Sequence, residues 1–396
     1  MTEAMAKQIR RKQLDYNQKS EIIAYIEEQL KKSVIGQHES SEIIADCMSR
    51  AIAGIRDPEK PILSLLFLGS TGVGKTVSVK VLADVLFGSR EAFTRINCEE
   101  LGSDHSFAKL VGSPPGYVGN DVEAMLSQKQ IDKHFIEAQN EKIGLFGNDN
   151  PFSKRYNGED GVGSPSIILF DEIEKAHPKI WSALIGIMDD GHLTLGNNTV
   201  VDMKHSIIIM TSNVGARELD KTLQGNPLGF ELPHEVTAET KEKEVMTMKE
   251  AAIAIAKDTF PPEFCNRFDK IISFNTLERA DFEKILDLHI QSIYKRLLDA
   301  DMPIFVNYKK DFINMILTKG VDKRYGARNL NRVVDQEILT PFSKMINTKQ
   351  IVPGDVIEVS LKDNKVAFTR EPRYTKNVIP RKEVIESKPR GRPRKS

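Results

Sequence analysis

The chain has 396 residues, of which 40% are hydrophobic and 28% charged, with 56 Lys/Arg balanced by 56 Asp/Glu. This mix is that of a globular protein of two or three domains, and the zero net charge excludes a generally basic nucleic-acid-binding coat. Three scattered cysteines (Cys47, Cys98 and Cys265) exclude a disulfide framework and a paired-cysteine metal knuckle. No run of 18 apolar residues and no signal-peptide core occurs, so the expectation is a cytoplasmic protein without membrane contact.

In chain order, Ile22, Ile23, Ile26 and Leu30 predict a helix over 18–32, and 38–55 continues as helix. The run 61–69 (PILSLLFLG) is a buried strand ending in glycine, followed by a Gly-rich loop and a helix through Leu86. Two further apolar runs, 166–170 and 206–213, end in polar residues. Apolar runs alternating with helical stretches predict an α/β fold, a parallel sheet covered by helices. Residues 137–163 are polar and rich in Gly and Asn, and are expected to form a surface insertion. Beyond residue 276, amphipathic helices over 278–299, 308–319 and 327–347 precede a hairpin of 356–361 and 365–369. The expected division is an N-terminal helical extension (1–33), a large domain (34–275), a smaller, mainly helical domain with a β-hairpin (276–370) and a disordered basic tail (371–396). The tail holds nine Lys/Arg and three acids, which leaves the remainder of the chain acidic.

GSTGVGKT (69–76) fits G-x-x-x-x-G-K-[ST] between a predicted strand and a predicted helix. A triphosphate must be gripped by backbone N–H groups at close range. Gly69, Ser70, Thr71, Gly72, Val73 and Gly74 form that cradle, and the helix N-terminus adds positive dipole. Lys75 is expected to reach the β/γ-phosphates of ATP, and the Thr76 hydroxyl to hold Mg²⁺. Asp171, at the end of the second apolar strand, is placed to hold the same ion's water shell. Glu172 beside it is the expected general base. Asn213 ends the next strand, where its amide can bond the attacking water or the γ-phosphate.

Phosphate loop, acid-ending strand and Asn-ending strand, in this order, resemble an AAA+ ATPase. Longer segments resemble the Clp family of protein unfoldases, and above all the C-terminal AAA+ module of its two-ring members. They are VIGQ (34–37), VGSPPGYVGND (111–121), FDEIEKAHP (170–178), MDDGHLTLGNNTVVD (188–202), PPEFCNRFDK (261–270) and YGARNLNRVV (325–334). The likeness covers roughly residues 30–370. It implies a P-loop AAA+ large domain followed by a small helical domain. It also implies an ATP-driven homo-oligomeric ring, a hexamer, that threads unfolded or tagged proteins through a central pore. By the same likeness Val34 and Ile35 pack on adenine, Arg267 is an arginine finger reaching a neighbouring subunit, and Arg328 is a sensor of phosphate in cis. Tyr117 and Val118 form the pore loop, and 191–200 a second one, with His192 and Asn198 where family members commonly carry Arg. Leu228-Gly229-Phe230 resembles the tripeptide that docks on a Clp-type peptidase; the alternative is that it folds back on the domain. Only about 33 residues precede VIGQ, so no N-terminal adaptor-binding domain is expected here.

The tail segment KPRGRPRK (388–395) resembles an AT-hook, which would contact DNA in a narrow minor groove. The competing reading is a solvated tail with weak affinity for polyanions. A motor acting on DNA-bound complexes is therefore the alternative function.

Overall fold

The computed structural model describes residues 14–15, 17–103, 106–117, 122–148, 164–215, 238–321, 326–363 and 365–371, with side chains left out over 238–247. The chain forms two compact units, residues 1–285 with 321–329, and residues 286–320 with 330–396.

The first unit is built on a five-stranded sheet in the order β2-β3-β6-β1-β7: β1 (Leu63–Leu68), β2 (Thr94–Asn97), β3 (Ser166–Asp171), β6 (Ser206–Ser212) and β7 (Lys270–Ser273). All four pairings are parallel. β1 and β6 are buried along their whole length, which explains their continuous apolar runs: helices cover both faces. Alternate residues feed separate cores. Leu65, Phe67, Ile167, Leu169, Ile207 and Ile209 face α1 (Glu21–Ser33), α2 (His38–Ala53) and α3 (Lys75–Phe87). Leu66, Leu68, Ile168, Phe170, Ile208 and Met210 face the helix Pro178–Asp190 and the aromatic cluster of Phe260, Phe264 and Trp181. The expected strands β1, β3 and β6 are present. β2, β7 and the antiparallel hairpin of β4 (His192–Thr194) and β5 (Val200–Asp202) add to them.

The start of the expected insertion is a correction. Residues 128–141 are one helix, and 144–147 form a helical turn. Phe146 is fully buried there, its ring 5.1 Å from Phe87 and 5.8 Å from Phe135. Residues 137–148 of the expected insertion are therefore largely helical and partly buried, not a surface loop, and 149–163 lie outside the described residues.

In the second unit β9 (Val356–Lys362) and β10 (Lys365–Arg370) form the expected hairpin. β8 (Phe305–Tyr308) joins β9 in parallel. The helix Lys310–Gly320 follows, tied back where the Asp311 carboxylate accepts from the Leu361 N–H at 3.1 Å. The expected helix 327–347 is helical but switches to a π-type turn over Asp335–Leu339. Pro341 explains the switch, because it has no N–H for the usual bond four residues back. Among the described residues no helix is long and apolar enough to cross a membrane.

Phe146 offers a test of this packing. Phe146→Ala should lower stability by about 3–5 kcal/mol, measured by denaturant unfolding. A loss under about 1 kcal/mol would show the turn to be peripheral.

Candidate functional site

The carboxyl ends of β1, β3 and β6 lie side by side, and each is followed by one part of the site. After β1 comes the loop 69–74. Its backbone needs glycine at Gly74, where φ is +113° and a Cβ would meet Val34 Cγ1 at 2.8 Å. Lys75 opens α3, whose N-terminus has no side-chain cap and no acid in its first turn. That end is left open to an anion. Val73 is buried in the core beneath the loop, and Thr76 is half-buried in the first turn of α3.

Lys75 is only 8% exposed. Its Nζ donates to the Gly69 carbonyl, to the Ser70 carbonyl at 2.9 Å and to Asn213 Oδ1 at 2.9 Å. Burial pulls its pKa down to about 8, against the opposing pull of Glu174, Asp171 and Glu172; the Arg328 charge lowers it further.

Asn213 connects the parts. Its Oδ1 takes the lysine bond, its Nδ2 donates to Glu172 Oε1 at 3.1 Å, and its backbone N–H donates to Glu174 Oε1 at 3.1 Å. Glu172 stands in the left-handed region at φ 58°, turning the chain out of β3. Its other oxygen is 2.5 Å from Lys175 Nζ, which also reaches Glu99 at 3.0 Å. Burial alone would raise the Glu172 pKa, but the Lys175 bond and charge and the Asn213 bond outweigh it, so the group is held below the usual value. Asp171 accepts from Thr211 Oγ1 at 2.5 Å and pairs with Arg95. Glu174 Oε2 is buried with no hydrogen-bond partner.

The segment 321–329 belongs to this unit and touches the loop. The Ala327 N–H donates to the Gly72 carbonyl at 3.2 Å, and a Cβ on Gly326 would strike the Thr71 carbonyl. Arg328 is exposed beside it. On the other side Val34 is buried against Gly74, and Ile35 is half-buried. Gln37, fully buried, exchanges two 2.8 Å bonds with the backbone of Asn275.

The structure thus brings together Lys75, Asp171, Glu172, Asn213 and Arg328. Arg267 stands apart: among the described residues no hydrogen bond or ion pair joins it to that network. Its Nε lies 2.8 Å from Asp189 Oδ1. It lines a cleft of about 380 Å³ with Arg50, Ile55, Lys60 and Asp269. Tyr117 is 71% exposed, just after Gly116 at φ 90°. The second loop is the β4–β5 hairpin, where Gly196 N–H donates to the Val111 carbonyl at 2.9 Å. Val118, Leu228-Gly229-Phe230 and the tail 388–395 lie outside the described residues. The sequence reading missed Arg95, Lys175, Glu174, Thr211, Gln37 and Asp189. Thr211 carried a signal in its position two residues before Asn213 on an apolar strand, and Gln37, Glu174, Lys175 and Asp189 lie inside the quoted family segments, which gave them no role.

Comparison with known proteins gives the family and the fold. The family model described as AAA domain (Cdc48 subfamily) matches residues 60–136 and 153–271. That described as the C-terminal, D2-small domain of ClpB protein matches 277–359. The chaperone protein ClpB of Aquifex aeolicus is 35% identical over 351 residues, 89% of this chain and 31% of that relative. ClpB of Oceanobacillus iheyensis is 36% identical over 343 residues, 87% of this chain and 37% of that relative. The chain thus spans about a third of the length of these curated relatives. Among solved structures, the extended conformation of the S. cerevisiae Hsp104:casein complex superposes with a TM-score of 0.68 at 28% identity. That match covers 90% of this chain and 53% of the Hsp104 chain. A closed state of Hsp104 with ATPγS and FITC-casein gives 0.64 at 27% identity, covering 88% of this chain and 51% of that one. The chain belongs to the Clp family of AAA+ ATPases and carries its nucleotide-binding module.

If Lys75 holds the phosphates, nucleotide binding should be sensitive to pH. Below about pH 8 the ammonium is charged in both free and bound protein. Above it the free protein loses the proton, whereas a bound triphosphate restores it. Affinity should then fall by up to about tenfold per pH unit. Calorimetry in two buffers at about pH 9 should show uptake of close to one proton. Lys75→Ala should abolish binding, and binding that is flat with pH would refute the role of the charge.

Proposed function

We propose that this chain is one protomer of a ring, a hexamer, that hydrolyses ATP and uses the turnover to draw unfolded or tagged polypeptide past Tyr117. The observation that carries the reading is the continuous bonding from the loop carbonyls through Lys75 and Asn213 to Glu172. It lets occupancy of the phosphate loop be felt at the group that activates water. When ATP enters, its phosphates offer Lys75 a stronger acceptor than two carbonyls and an amide. Asn213 is then released to hold the attacking water, with Glu172 as general base. The low pKa of Glu172 keeps it ionised at neutral pH. Mg²⁺, held by Thr76 and Asp171, would supply charge neutralisation at the phosphates. The oxygen donors of Asp171 and Thr76 suit that hard cation, and Asp171 is already oriented by Thr211.

Arg267 has no route into its own site among the described contacts, which supports delivery to a neighbour's γ-phosphate. Arg328 lies on the segment bonded to the loop, which supports contact with phosphate in cis. The exposed Tyr117 offers an aromatic surface that grips an extended chain without regard to its sequence. The relatives named chaperone ClpB and the Hsp104 complexes with casein support a polypeptide substrate. A cytoplasmic setting goes with that reading. Feeding of a Clp-type peptidase through Leu228–Phe230, and DNA contact through 388–395, rest on the sequence alone. Stimulation of ATP turnover by DNA and not by unfolded protein would favour the DNA-acting alternative.

Glu172→Gln should retain ATP binding and lower turnover by at least about a hundredfold. Tyr117→Ala should keep ATP turnover and lose unfolding of a stable fluorescent reporter. Unfolding that survives the loss of the ring would remove Tyr117 from the mechanism.

A further inference from the structure

We propose that Asp189 is the positioning residue for Arg267: it orients the guanidinium for a neighbouring protomer's nucleotide. The proposal rests on the ring reading above. It starts from which nitrogen is engaged. Asp189 Oδ1 lies 2.8 Å from Nε, the inner nitrogen of the guanidinium. This ion pair holds the inner end of the guanidinium by charge and leaves the outer Nη pair to other partners. That outer pair is the fork that matches phosphate oxygens.

Both partners are anchored. Asp189 lies in the last turn of the helix Pro178–Asp190, beside Ile187 and Met188, which are buried. The helix is stopped by Gly191, whose N–H donates to the Ile187 carbonyl at 2.8 Å and whose carbonyl accepts from Met203 at 2.7 Å. Arg267 follows the short helix Pro262–Cys265, seated by fully buried Phe264, and its N–H donates to the Phe264 carbonyl at 3.2 Å. The two acids that line the cleft are engaged elsewhere: Asp57 accepts from the Glu59 N–H at 3.1 Å, and Asp269 accepts from the Ser64 N–H at 2.8 Å and faces Arg50 at 3.7 Å. Asp189 is therefore the carboxylate that sets the finger.

The pair is not there for stability. The two side chains are 42% and 28% exposed, and ion pairs in such surroundings contribute little. What the ion pair does is restrict a long, flexible side chain beside a cleft in which Arg50, Arg56 and Lys60 outnumber Asp57 and Asp269. The cost of losing it is one of orientation, which shows in the rate of the chemical step and not in nucleotide affinity.

The test is ATP turnover by the assembled full chain. Asp189→Asn should lower kcat about tenfold with KM little changed, and leave the ring and its thermal unfolding intact. Asp189→Glu, which keeps the carboxylate, should retain more activity than Asp189→Asn. In an Arg267→Ala background, Asp189→Asn should add no further loss, because there is nothing left to orient. An equal fractional loss in both backgrounds would mean a structural role and overturn the proposal. An unchanged kcat would overturn it too, and a raised kcat would show that Asp189 restrains the finger instead. If Arg267→Ala itself leaves turnover unaltered, the shared-site reading falls and takes this assignment with it. If Arg267→Ala is impaired and Asp189→Asn is not, only the present assignment fails.

Discussion

A lysine ammonium sealed inside the protein organises this molecule. A buried charge must be compensated by fixed dipoles or opposite charge, or it is lost. Lys75 meets that demand with two loop carbonyls and one side-chain amide, and with three carboxylates farther out. Those carboxylates come from the end of β3 and its turn, and the amide from the end of β6. The parallel order of the sheet, which sets β1, β6 and β3 side by side, is therefore a condition of keeping the lysine charged. Burial depresses its pKa more than these partners restore it. Such a site favours an anion, and on the reading proposed above a triphosphate would supply it.

Asn213 carries the consequence outward. Its two side-chain atoms face in opposite electrostatic directions, the oxygen toward Lys75 and the nitrogen toward Glu172. An amide can serve a cation and an anion at once because it is both acceptor and donor. A carboxylate at this position would repel Glu172, and a hydroxyl would be too short to span the gap. Glu174, which accepts from the Asn213 backbone, keeps one oxygen buried and unpartnered. The acidic side of the site is thus held with less bonding than it could use, which keeps the lysine's environment negative.

How much of this was legible in the sequence follows from what is local. Gly72, Gly74 and Lys75 sit within a few residues of one another between an apolar run and a helix, so the loop could be read from spacing. β1, β3 and β6 announce themselves because both faces of a central parallel strand must be apolar. β2 (TRIN) and β7 (KIIS) flank them, are four residues long and are half polar, so no period stands out. Arg95, Lys175 and Asp189 were invisible for a different reason. Charged residues abound in the chain, and only the tertiary register shows which carboxylate each one meets. Phe146 misled the reading of 137–148 because a single aromatic between glycines carries no periodicity, yet one ring is enough to fix a turn in a core.

The helix Pro178–Asp190 deserves to be considered as one mechanical piece. It starts three residues after Lys175, the cation on Glu172, and ends at Asp189, the anion on Arg267. The β4–β5 hairpin begins immediately beyond it. Ile180, Leu184, Ile187 and Met188 bury one face against the sheet, so the helix can shift only as a body. The helix ends in a turn of positive φ at Gly191 (64°), and a second such turn, Glu172 at 58°, lies six residues before its first residue. Glycine adopts this conformation freely, but a glutamate there stores on the order of 1 kcal/mol. Strain of that kind persists only where the surroundings over-determine it. At Glu172 they do so through Thr211, Asn213 and Lys175. On the proposed reading, a ligand that draws Asn213 or Lys175 away would loosen this restraint on the turn that leads into the helix. The far end of the helix meets two elements, Arg267, proposed above to reach another protomer, and the hairpin that is bonded to the base of the Tyr117 loop through Gly196 and Val111.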